Sequence, residues 1–135
     1  MSSERTMPDS FLFPSTALDA TWLGLTSPRQ AFTSTDASGK WLIFRPSAMV
    51  DQAWIQVLAL ISTGGLICAK VSTRRGIVLG GYADHVICVY TRDWRDTEDV
   101  MKVRGVLRVA GFVEVLRYKR DLDTRLGIER FVYEV

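Results

Sequence analysis

At 135 residues, 47% hydrophobic and 24% charged, the chain has the composition of one globular domain, large enough to bury about two-thirds of its unfolded surface without disulfides or a metal clip. The net charge of +2 defines no partner by itself, yet residues 1–69 hold four basic and five acidic side chains while residues 70–135 hold thirteen basic and ten acidic. A single His excludes a His-based metal cluster, and no apolar run approaches the ~20 residues of a membrane span.

Residues 1–20 are rich in Ser, Thr, Pro and Asp and read as a flexible N-terminal segment. They lack the basic start and apolar centre of a signal peptide, so a cytoplasmic protein is expected, with residues 21–135 as a single α+β domain. Residues 21–25 (TWLGL) suit a short edge strand, residues 26–39 a loop closed by Gly39, and residues 40–46 (KWLIFRP) a strand stopped by Pro46. In residues 47–62, Val50, Trp54, Val57, Leu58 and Ile61 recur at helical spacing behind Ser47 as N-cap, and Gly64–Gly65 ends the helix. Residues 66–73 and 85–91 are strands, and the three glycines of residues 74–84 (RRGIVLGGYAD) make that segment a hairpin loop. Cys68 and Cys88 lie in these apolar runs and read as buried free thiols. Asp96 caps a second helix that Gly111 ends, with Val100, Val103, Leu107 and Ala110 as its buried stripe and Lys102, Arg104 and Arg108 off it. Residues 112–118 and 130–135 complete the strands. Two helices on one face of a mainly antiparallel curved sheet is the expected fold class, α+β.

Standard catalytic signatures are missing: there is no GxSxG, Walker loop, HExxH or CxxC, and no cofactor motif. Three subtler features remain. Strand alternation sets Lys70, Ser72 and Arg74 on one face, a row that grips a phosphate or protects an exposed strand edge. Tyr90 and Trp94 flank Arg92 across a turn, which suits nucleobase stacking as well as ordinary packing. Trp22 and Trp94 lie at element ends as surface aromatics, whereas Trp41 and Trp54 suit the core. Finally, residues 117–127 (RYKRDLDTRLG) carry six charges in eleven positions, a solvated loop or one wall of an anion site.

From Gly39 to Val135 the chain resembles the cap-binding translation initiation factor fold. It is more similar still to the basophilic-leukaemia-expressed protein family of unknown function, which shares that fold. The carriers are GKWLIF, Trp54 in the next helix, HVICVYTRDWRDTEDVMKVRGVL, and the closing YKRDLDTRLGIERFVYEV. The resemblance implies Tyr90 near the base, Lys70 and Arg74 or Arg75 on the phosphates, and Arg125 reaching them from the closing segment. Where cap binders place a Trp-Glu pair, the loop offers Phe32 followed by Thr33.

The reading that results is a nucleotide- or RNA-binding domain with no cofactor. Its ligand would lie in a basic, aromatic-floored concave face built from Lys70, Arg74, Arg75, Tyr90, Lys119, Arg125, Trp22 and Phe32. Two alternatives stand beside it. One is a phosphothreonine lyase-like enzyme using Lys70 or Lys119 as base and His85 as acid. The other is a protein-interaction module presenting Arg104 and Arg108 on a helix face.

Overall fold

Alternating strand residues divide cleanly between a greasy face and a mixed one, and the sheet follows that division. The structure is a computed structural model and describes residues 12–135. Strands β1 (Trp22–Thr26), β2 (Gly39–Arg45), β3 (Cys68–Ser72), β4 (His85–Thr91), β5 (Arg117–Arg120) and β6 (Tyr133–Glu134) form one antiparallel sheet in the order β1-β3-β4-β2-β5-β6. Trp41 pairs with Val89 and Tyr118, Ile43 with Ile87, and Val71 with Ile87, so these residues share one face and are buried there.

Helices α1 (Ser47–Ser62) and α3 (Thr97–Val109) cover that face. Helix α1 turns Val50, Ala53, Trp54, Val57 and Ile61 inward at helical spacing. Helix α3 buries Val100, Arg104 and Leu107, and its Asp96 N-cap accepts from the Asp99 amide. The centre is aromatic: Trp41 meets Tyr118 edge-on at 5.3 Å, and its indole donates to the Val100 carbonyl. Burying Trp41 and Tyr118 completely contributes about 2–3 kcal/mol each relative to exposing them.

Several local expectations need correction. Residues 74–84 are not a hairpin loop but contain helix α2 (Arg74–Gly80), capped by the Thr73 side chain and ended by Gly81 at φ 69°. Gly76 was legible only as a turn residue, yet its role is contact: a Cβ there would lie 2.6 Å from the Thr21 carbonyl oxygen. The charged stretch is not a loop either. It becomes β5 followed by helix α4 (Asp121–Leu126), whose C-cap Gly127 has φ 69°. The strand expected over 112–118 begins only at Arg117, because β2 offers β5 partners from Gly39 to Leu42 alone. Likewise the strand expected over 130–135 is reduced to two residues. Pro46 rather than Ser47 occupies the α1 cap position.

The described half of the N-terminal segment lies against the domain. Ser15 binds Asp51 of α1 through both its amide and its hydroxyl, and the Pro14 and Ala17 carbonyls accept from the amides of Arg74 and Arg75. Among the described residues no helix is long and apolar enough to cross a membrane.

Gly39 permits the closest approach in the sheet. A Cβ there would sit 2.5 Å from ring atoms and the hydroxyl of Tyr118, which is wholly buried and bonded to Thr91. Gly39→Ala is therefore expected to destabilise the protein by about 1–3 kcal/mol through overpacking. A urea-unfolding midpoint measured against wild type checks this.

Candidate nucleotide-binding face

Register fixes what lies on the other side of the sheet. Trp22 opposes Ser72, Gly24 opposes Lys70, Lys70 opposes Cys88, Lys40 opposes both Tyr90 and Lys119, and Leu42 opposes Arg117. Lys70, Cys88, Tyr90, Lys40, Lys119 and Trp22 therefore share the face that α1 and α3 leave uncovered.

At its β3–β4 end, the Lys70 ammonium lies 4.0 Å from the centroid of the Trp22 ring. It has no carboxylate or hydrogen-bond partner among the described residues. Tyr90 is its diagonal neighbour on β4. The ring is 8% exposed and touches Phe32, with centroids 5.1 Å apart and planes inclined at 41°. Its hydroxyl is likewise without a hydrogen bond among the described residues, and burial, reinforced by nearby Cys88 and Asp121, pushes its ionisation well above the usual phenol range. The site therefore offers a fixed cation, an un-ionised hydroxyl donor and aromatic surface. Burial pushes the Cys88 thiol up to about 11, which removes it as a nucleophile near neutral pH. Among the described residues no group of acidic, His and Cys side chains could hold a metal.

The opposite end is charged but satisfied. Lys40 and Lys119 are cross-strand neighbours, an unfavourable pairing of like charges. Asp121 at the start of α4 offsets it: Lys40 Nζ donates to Asp121 Oδ1 at 2.7 Å and to Thr124 Oγ1 at 2.6 Å. The other Asp121 oxygen accepts from Ser34 and Ser38 of the loop before β2. Burial alone would push the Asp121 carboxyl up, but the bonds from Lys40, Ser38 and Ser34 outweigh it and hold it below the usual carboxylate range. Lys119 pairs with Glu129, and Arg125 binds Asp36 and Ser34. Asp123, fully buried, receives paired bonds from Arg120 and Arg130, which hold its carboxyl far below the usual range despite burial.

The structure thus gathers Trp22, Phe32, Lys70 and Tyr90 into one group. Lys119 shares the face but is engaged by Glu129, and Arg125 stands over the loop that carries Phe32. Arg74 and Arg75 begin α2 beyond the end of β3, where the Arg75 guanidinium reaches the Leu18 carbonyl. Trp94 does not join Tyr90: it packs against the core beneath Arg120, 5.0 Å from the guanidinium. His85 lies on the helix-covered face, wholly buried, donating from Nδ1 to the Ser72 carbonyl at 2.7 Å and meeting Ser47 Oγ through Nε2. The sheet stands between His85 and Lys70, so the base and acid of a lyase are not brought together. Arg104 is not a docking residue; it is 2% exposed and donates to the carbonyls of Phe112, Glu114 and Val135.

Sequence reasoning missed Lys40, the residue that ties the charged stretch to the sheet. The available signal was its place one residue before Trp41, which alternation puts on the open face.

Solved structures share this architecture. A schistosome eIF4E complexed with m7GpppA and 4E-BP superposes with a TM-score of 0.70 at 14% identity, covering 92% of this chain and 75% of that one. C. elegans eIF4E-3 in complex with the 4E-binding protein Mextli gives 0.58 at 17% identity, covering 73% of this chain and 59% of that one. Ascaris suum eIF4E-3 with m7G cap gives 0.56 at 15%, covering 73% and 57%. The chain thus spans less than two-thirds of the C. elegans and Ascaris proteins it matches. The family model described as basophilic leukemia-expressed protein Bles03 matches residues 29–127.

Proposed function

The chain belongs to the basophilic leukemia-expressed protein Bles03 family, and on that footing we propose that its open sheet face binds a phosphate-bearing ligand, a nucleotide free or within RNA. One observation carries this reading: the Lys70 ammonium and the Tyr90 hydroxyl, neither with a hydrogen-bond or ion-pair partner among the described residues, stand diagonal to one another, with Trp22 and Phe32 beside them. Lys40 and Lys119 on the same face, and Arg120 and Arg125 beside them, are each paired with a carboxylate. Lys70 is instead held over an aromatic ring, which fixes its position and leaves its charge uncompensated. The same fold in the schistosome and Ascaris proteins accompanies cap ligands, which supports the choice of a nucleotide over other anions.

Charge-assisted hydrogen bonds contribute about 1.5–3 kcal/mol each, or about 10–100-fold in affinity. Lys70→Ala is expected to weaken GTP binding by that factor in isothermal titration, with the thermal midpoint lowered by a few degrees at most, because the fold loses one exposed cation–π contact and no ion pair. Unaltered affinity in Lys70→Ala would remove the site from this face.

A further inference from the structure

We infer that this face holds a nucleotide by its phosphate and one stacking contact, without reading the identity of the base or its methylation. The inference rests on the nucleotide reading above and narrows its ligand class.

Stacking between two rings requires parallel planes about 7–8 Å apart, two carbon contact distances. Phe32 and Tyr90 are already in contact at 5.1 Å and tilted by 41°, leaving no slot between them. Trp22 has the Lys70 ammonium on one face of its ring, so it too can stack a base on one side only. A base therefore finds one-sided aromatic surfaces here rather than a slot, and one-sided stacking tolerates every base because each has a π-face.

Edge reading is missing for a separate reason. Discriminating guanine demands an acceptor aimed at its Watson–Crick N–H groups, and a carboxylate is the strongest. Asp36 is the one acid between Thr26 and Gly39, and it is bound to Arg125. Asp121 is buried against Lys40, Ser34 and Ser38, and Glu129 is on Lys119. These three carboxylates are thus each spent on a neighbouring cation or hydroxyl. What remains open is a cation and a hydroxyl, both suited to phosphate oxygens.

The test is a set of titrations of the full chain, following quenching of the partly exposed Trp22. Ligands are ATP, GTP, m7GTP and a 5′-phosphorylated oligoribonucleotide, each against wild type, Lys70→Ala and Phe32→Ala. The expected result is that the three mononucleotides bind within about threefold of one another. All should weaken by about tenfold or more in Lys70→Ala, and by a common factor in Phe32→Ala. An oligoribonucleotide binding tighter than the mononucleotides keeps the inference and makes RNA the source; equal binding keeps it with free nucleotide as the source. Preference for m7GTP over GTP by about tenfold or more would overturn the inference while leaving the nucleotide reading intact. Failure of every ligand to bind would overturn both.

Discussion

Asp121→Ala is expected to lower the stability of the domain by about 3–5 kcal/mol, the usual result of removing one partner of a buried ion pair. Against a total of about 5–15 kcal/mol for a domain of this kind, that loss is large, and a shift in the urea midpoint reports it. Lys40 is 6% exposed and Asp121 3%, so the substitution strands an ammonium whose remaining partner is the Thr124 hydroxyl. It also frees Ser34 and Ser38 from the carboxylate and so loosens the loop behind Phe32. The double variant Lys40→Met, Asp121→Leu should recover much of the loss, since an apolar pair carries no stranded charge. The pH dependence has a definite sign. Asp121 is held below its ordinary value in the fold, so its contribution is complete above the unfolded carboxyl value of about 4 and disappears as pH falls below it. The difference in urea midpoint between wild type and Asp121→Ala should therefore shrink on acidification below about pH 4.

Arg104→Ala is the second large effect, expected at about 2–4 kcal/mol. The guanidinium leaves α3 and fastens three carbonyls of residues 112–135: Phe112 at 2.9 Å, Glu114 at 2.7 Å and Val135 at 3.0 Å. Its charge is exposed to little water, and burial lowers its pKa, with Arg108 adding to the effect. Removing it leaves the Phe112 and Glu114 oxygens without this donor, while Val135 keeps the Leu116 amide. The same variant separates structure from docking. A surface residue would cost a few tenths of a kcal/mol, whereas a buried clamp lowers the thermal midpoint by about ten degrees or more. Hydrogen exchange should also accelerate around Leu116, where β5 and β6 are held together.

The fold was largely legible because hydrophobic alternation and helical spacing both point to one buried face. Trp41 and Ile43 in β2, Ile87 and Val89 in β4, and Val50, Trp54, Val57 and Ile61 in α1 all fall where their periodicity puts them. Helix α2 was not legible, since seven residues with two glycines look like a turn until one sees the Thr21 backbone pressed against Gly76. Arg104 deceived for a related reason: a long cationic side chain reads as solvated, and only the carbonyls that residues 112–135 bring to it make burial tolerable. Of the candidate ligand residues, Trp22, Lys70 and Tyr90 share a face because sheet register aligns their side chains, and Phe32 joins them from the loop before β2 by packing on the Tyr90 ring. Which cations are already paired could not be read without tertiary contacts. The six charges in residues 117–127 illustrate this, since Asp121 and Asp123 are internal anchors for cations on neighbouring elements.

The most direct measurement is a backbone-amide NMR titration of the protein with GTP. Binding on the open face should perturb amides of β3 and β4 around Lys70 and Tyr90, together with the loop carrying Phe32, and these shifts should vanish in Lys70→Ala. Shifts confined to α1 and α3, or an unperturbed spectrum at saturating ligand, would contradict a nucleotide site on this face.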